Sequence, residues 1–161
     1  MKSKTKFIAI NGIVAALYCT LTLSLGDVGF MSLQFRPAEA MTVLPFISPY
    51  TVWGLFAGCL LSNIISPLGV LDMVFGSAAT LLAGCLTARC KSLWTAVIPP
   101  IAVNAVVVGA LIVVASPELG GFVAWPAQAG MIAVSQTISC AGLGAALYYS
   151  LKKLSLKERL N

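Results

Sequence analysis

Read from Phe7 onward, the chain is a succession of apolar runs separated by short clusters of glycine, proline and serine. Runs such as 7–25 and 96–115 approach the ~20 apolar residues that an α-helix needs to cross a bilayer. Between the runs lie Gly26 and Gly29 around Asp27, the Ser48-Pro49 step, Ser66-Pro67-Leu68-Gly69, and Gly120-Gly121, all of them turn chemistry. Six helices are predicted, at about 7–25, 37–48, 51–66, 70–88, 96–115 and 127–147. Pro37 suits the first turn of the second helix, where its missing N–H costs nothing. Glu39 falls in that same turn, where the helix dipole favours a carboxylate. The second and third helices are short for full spans, and Pro99-Pro100 is expected to offset the start of the fifth.

Composition settles the class. Of 161 residues, 59% are hydrophobic and 9% charged, with a mean hydropathy of +0.96. A soluble domain needs far more charge than that. The expected fold is all-α: a polytopic membrane protein, one integral-membrane domain over 1–161, built as a six-transmembrane-helix bundle. The first run follows Lys2, Lys4 and Lys6 as a signal peptide would. It is long for a signal core, however, and no A-x-A site follows, so it reads as a retained helix.

Charge sets the orientation. Basic residues cluster at Lys2, Lys4 and Lys6, at Arg89 and Lys91, and at Lys152, Lys153, Lys157 and Arg159, leaving Arg36 alone. The positive-inside rule puts those clusters and both termini on the cytoplasmic side of the cell membrane. Asp27 and Glu118 then face outward. The Ser48–Tyr50 turn is also cytoplasmic on this scheme, yet contains no basic residue. The net charge of +5 therefore describes topology rather than an affinity for nucleic acid. Trp53 and Trp94 fit an interfacial belt near the inner surface.

The five cysteines (Cys19, Cys59, Cys85, Cys90, Cys140) show no metal-site spacing and read as buried, reduced thiols. With no histidine, a His-ligated metal and a His general base are excluded. No cofactor or metal is expected. Small residues recur at helical spacing in Gly12-x-x-x-Ala16, Gly54-x-x-x-Gly58-x-x-x-Ser62 and Gly76-x-x-x-Thr80-x-x-x-Gly84. Such stripes let helices approach closely in lipid. For the third and fourth helices the expected use is packing within the chain; for the first, docking to a separate membrane protein is equally open.

Against this apolar background a few polar residues stand out. Ionisable groups in hydrocarbon cost at least ~2.5–3.5 kcal/mol each on insertion scales, so they are paired or functional. Gln34, Arg36 and Glu39 fall at the outer end of the second helix, Asn63 at that of the third, and Asp72 at the start of the fourth. Asn104 and Gln136 lie deeper, in the fifth and sixth, with Gln128 nearer the surface. Phe30, Phe35, Phe75 and Trp125 share that depth. Polar groups with flat apolar walls suit a planar heterocycle. Separate structural uses remain open: an Arg36–Glu39 pair at i,i+3, a helix-start carboxylate at Asp72, and interhelical hydrogen bonds for Asn63, Asn104 and Gln136. Their joint placement in one half of the bundle favours a ligand site.

The runs QFRPAEAMTVLPF and GLFAGCLLSNIISPLGVLDMVFGSAATLLA, with Pro99, Pro100 and Asn104 as PP-x-x-x-N, closely resemble the queuosine-precursor transporter (QueT) family. The resemblance covers nearly the whole chain. It implies an S component, the substrate-binding subunit of an energy-coupling factor (ECF) transporter. Such a subunit takes its ligand from outside and docks on an ECF transmembrane subunit driven by two cytoplasmic ATPase subunits. It is thought to topple in the membrane to deliver the ligand. The implied ligand is a 7-deazaguanine: queuine, or the 7-cyano or 7-aminomethyl precursor. S components typically dock through A-x-x-x-A in the first helix, to which Gly12 and Ala16 are the nearest match.

A guanine-like edge offers N1–H and N2–H₂ as adjacent donors, which Glu39 can accept together. Arg36 is expected to orient Glu39 and supply a donor, Asn104 or Gln136 to serve O6, and Asp72 to meet N9–H or an aminomethyl cation. Gln34, Phe35 and Asn63 complete the expected site. The chain has no G-x-x-x-x-G-K-[ST] loop, so ATP hydrolysis belongs to a separate module. Two other functions stay in view: a proton-coupled secondary transporter using Glu39 or Asp72, and a membrane assembly protein without a ligand. An enzyme is not expected, since no nucleophile–base pair is present.

Overall fold

Prolines and glycines set the helix ends. The computed structural model describes residues 2–26 and 35–154; Asp27, Gly29, Phe30, Gln34, Lys157 and Arg159 lie outside the described residues. The longer helical segments are α1 (Lys2–Leu23), α2 (Pro37–Ile47), α3 (Pro49–Ile65), α4 (Asp72–Thr87), α5 (Leu93–Ala115) and α6 (Gly121–Lys153). The described residues contain no strand. By length and composition α1, α5 and α6 can each cross a membrane, whereas α2, α3 and α4 are shorter apolar helices.

Local chemistry explains the irregularities. α2 opens on Pro37 and runs as a 3₁₀-helix to Val43. Pro45 has no N–H to offer Met41, so the Met41 carbonyl accepts from Leu44 instead, one residue earlier. Ser48 is extended (φ −143°, ψ 107°) and parts α2 from α3, which Pro49 begins. Between α3 and α4 the Gly69 N–H closes a turn onto the Ser66 carbonyl at 2.9 Å, with Gly69 at φ +60°, a conformation that favours glycine.

Several boundaries depart from the sequence expectation, among them the start of α1 at Lys2 rather than near 7 and that of α6 at Gly121 rather than near 127. α5 starts at Leu93 rather than near 96, because Ser92 and Thr95 form a capping box. Pro99 and Pro100 then interrupt α5 instead of starting it. They cannot bond back to the carbonyls of Thr95 and Ala96, and those oxygens accept from Cys90 Sγ (3.3 Å) and Thr87 Oγ1 (3.0 Å). Neighbouring side chains thus restore what proline removes. α6 runs on past 147 to Lys153, where Lys152 and Lys153 in its last turn complement the helix dipole.

The helices form a ring. α1 packs on α3, α3 on α4, α4 on α5 and α5 on α6, while α2 fits between α6 and α1 and also meets α4. The α3 glycine stripe is used inside the chain, as expected. A Cβ added at Gly54 would lie 2.8 Å from the Asn11 carbonyl oxygen, and one at Gly58 2.7 Å from that of Ala15. The buried face of α1 is therefore Val14, Ala15, Tyr18 and Thr22. Gly12 and Ala16 are exposed on the opposite face.

Basic residues share one end of the ring. The Phe7 ring meets Tyr50 edge-on at 6.1 Å, which brings the start of α1 to the α2–α3 turn. Pro49 and Trp53 line a groove with Ala88 and Arg89, and Leu93 packs with Ala145 and Tyr148. Lys4, Lys6, Arg89, Lys91, Lys152 and Lys153 thus gather together, ringed by exposed Tyr50, Trp53, Trp94 and Tyr149. Arg36 and Asp72 occupy the other end. All five cysteines are free; Cys59 and Cys140 are buried as expected, but Cys19, Cys85 and Cys90 are half-exposed.

Candidate functional site

The polar residues singled out by sequence converge at the non-basic end of the ring. Arg36 precedes α2 in an extended conformation (φ −118°, ψ 101°), which turns its side chain inward across the end of α3 and the start of α4. Its Nη2 donates to Asp72 Oδ2 at 3.0 Å and its Nη1 to Asn63 Oδ1 at 3.2 Å. Asp72 Oδ2 also accepts from Ser66 Oγ at 2.7 Å, and Asn63 Nδ2 donates to the Asp72 carbonyl at 3.0 Å. Arg36, Asn63 and Asp72 are all buried. The charged pair is therefore embedded in hydrogen bonds, the condition under which a buried ion pair is sustained. Asp72 is thus paired and buried within the protein.

Asp72 belongs to a π-helical turn, Asp72–Gly76. An added Cβ at Gly76 would overlap the Asp72 carboxylate and come within 3.1 Å of Asn63 Nδ2. Gly76 is what lets that carboxylate fold back over its own helix. Asp72 Oδ1 is buried with no hydrogen-bond partner.

Glu39 forms a second node one turn deeper. Its Oε1 accepts from Tyr18 Oη at 2.5 Å and its Oε2 from Asn104 Nδ2 at 3.3 Å. The carboxylate thereby joins α1, α2 and α5. On α6, Gln136 Oε1 accepts from Cys140 Sγ at 3.3 Å, inside a second π-helical segment, Thr137–Leu143. Such segments recur at functional positions in helices; both of these flank the polar core.

Arg36, Glu39, Asn104 and Gln136, with Gly76, Thr80, Val108 and Ile132, enclose a cavity of about 10 Å³. That is room for about one water molecule, whereas small-molecule pockets span roughly 300–1,000 Å³. A bicyclic ligand at this position would have to part the side chains.

The structure thus brings Arg36, Glu39, Asn104 and Gln136 onto one wall, with Asn63 and Asp72 behind Arg36. Phe35 is half-buried and Gln128 buried, though neither lines the cavity. Phe75 is 52% exposed. Trp125 donates from Nε1 to the Val106 carbonyl at 3.1 Å and stacks on Phe122. Neither aromatic forms a wall of the cavity. Tyr18 was not singled out by sequence, and Thr80 and Ser66 were read only as a packing position and a turn residue. The available signal was Tyr18's place on the Val14–Ala15–Tyr18 stripe, the face of α1 that must turn inward.

An apolar helical ring enclosing a buried polar cluster defines a membrane protein with an interior polar site. A family model described as the QueT transporter matches residues 8–153, and the chain belongs to that family. It is a family of transporters, so the protein is not an enzyme. One relative, the queuosine precursor transporter QueT of Lactococcus lactis subsp. cremoris (strain MG1363), is 35% identical over 83 residues. That match covers 50% of this chain and 48% of the relative, so the chain spans about half the length of the curated relative it matches. No solved structure matches.

Proposed function

We propose that the chain is the substrate-binding S component of an ECF-type importer, binding a 7-deazaguanine queuosine precursor from outside. On this reading all six helices span the membrane and both termini are cytoplasmic. Transport is completed with an ECF transmembrane subunit and two ATPase subunits. The gathering of basic residues at one end supports that orientation, and Arg89 supplies beside the Ser48–Tyr50 turn the charge that the turn itself lacks.

The observation that supports the ligand assignment is the wall of Arg36, Glu39, Asn104 and Gln136 inside an apolar ring. Glu39 presents two acceptor oxygens, as the N1–H and N2–H₂ edge requires. The ligand would displace Asn104 from Glu39, freeing its amide for O6. Gln136 is a second amide within the same wall. Asp72, whose Oδ1 lacks a partner, would meet N9–H or an aminomethyl cation once Arg36 in front of it moves aside. The exposed Gly12 and Ala16 leave one face of α1 open for docking.

Binding of 7-cyano-7-deazaguanine to purified wild-type and Glu39→Gln protein tests the site. Loss of a hydrogen bond to a charged group predicts affinity lowered by about 10- to 150-fold, and wild-type affinity would sink the carboxylate assignment. Uptake measured with and without the ATPase module tests the mechanism. Full-rate uptake by this chain alone would refute the S-component role.

A further inference from the structure

The basic end holds a feature that the ligand site does not use. Between the first turn of α3 and the last turn of α4 runs a groove of about 460 Å³, floored by Val52, Leu81 and Cys85 and walled by Trp53. Ala88 and Arg89 form its rim, and Arg89 is the charged residue among those lining it. Arg89 and, two residues on, Lys91 are both exposed. Among the described residues no carboxylate shares this end. Glu39 and Asp72 are buried in the polar core, and Glu118 belongs to the α5–α6 connection. An apolar slot with uncompensated positive charge at its mouth, set among interfacial aromatics, has the form of one acyl chain below an anionic head group.

We infer that this groove binds an anionic phospholipid, its phosphate on Arg89 and one acyl chain between Trp53 and Leu81. The guanidinium fork matches phosphate oxygens better than an ammonium point charge does. Trp53, an aromatic at headgroup depth, lies along the slot as the amphipathic ring of a belt residue does. Cationic residues near an anionic leaflet attract it by an amount equivalent to about fivefold in occupancy each. The site is separate from the Arg36–Glu39 wall and stands whether or not that wall binds a deazaguanine.

The test uses the full chain purified in detergent, titrated with dioleoylphosphatidylglycerol or dioleoylphosphatidylcholine and read by native mass spectrometry. Wild-type protein is expected to retain one phosphatidylglycerol in preference to phosphatidylcholine. Arg89→Gln should reduce that preference about fivefold, Arg89→Lys should keep part of it, and Ala88→Trp should lower retention of both lipids by filling the slot. Arg89→Gln alters an exposed side chain, so its thermal melt should match wild type and keep the comparison interpretable. Inorganic phosphate at the same concentration should not displace the lipid. Equal retention of the two lipids by wild type, or an unchanged preference in Arg89→Gln, would overturn the inference and leave the groove to a protein partner.

Discussion

Tyr18 and Glu39, 21 residues apart in sequence, share a 2.5 Å hydrogen bond that fastens α1 to the polar core through α2. Both side chains are fully buried. Removing the hydroxyl takes from Glu39 Oε1 the donor that α1 supplies.

Tyr18→Phe is therefore expected to destabilise the protein by about 1–3 kcal/mol, the cost of leaving a buried acceptor without its donor. Thermal melting in detergent measures it; an unchanged midpoint would show that the bond contributes little.

Arg36 and Asp72 predict a large coupling. Arg36→Met or Asp72→Asn alone should each cost about 3–5 kcal/mol, since each strands a buried partner. The double substitution should cost clearly less than the two together. A double-mutant cycle decides, and simple additivity would mean that the pair does not act as a unit.

The two faces of α1 should respond differently to the same change. Gly58→Val drives a side chain into Ala15 and Tyr18 and should abolish the folded protein or lower its melting point sharply. A Cβ added at Gly12 meets nothing within 4 Å, so Gly12→Val should leave the melt close to that of wild type. If α1 docks on a transport module through this face, Gly12→Val should still reduce uptake by the assembled transporter. Normal uptake would remove Gly12 from the docking surface.

Thr87→Val should expose the cost of the α5 prolines. It removes the donor that satisfies the Ala96 carbonyl, and a loss of about 1–3 kcal/mol is expected. Restoring the helical N–H with Pro100→Ala in the same chain should recover part of that loss. No recovery would mean that Thr87 acts through packing instead.

Helix order was legible because apolar runs end at prolines and glycines, whose backbone limits act locally. The start of α5 was misread because Pro99-Pro100 is a strong boundary signal, while the Ser92–Thr95 box that begins the helix leaves no hydrophobic trace. Arg36, Glu39, Asn63, Asp72, Asn104 and Gln136 were legible as polar exceptions in an apolar chain. Their partners were not. Nothing local to Arg36 says that it reaches Asp72 across 36 residues rather than Glu39 one turn away. Tyr18 reads as apolar until its hydroxyl finds a carboxylate. The size of the cavity depends on all these rotamers at once, which no single segment encodes.

The π turn at Asp72–Gly76 works as a phase shifter. An α-helix advances about 100° per residue, so eight residues of unbroken helix would set Asp72 and Thr80 about 80° apart. The one residue that a π-bulge adds cancels most of that offset and brings both onto the inward side. Winding those same eight residues as regular α-helix would swing either the ion pair or the Thr80–Cys59 contact at 3.2 Å out of alignment. The π turn itself, and not the side chains alone, is thus what lets Asp72 and Thr80 face the same side.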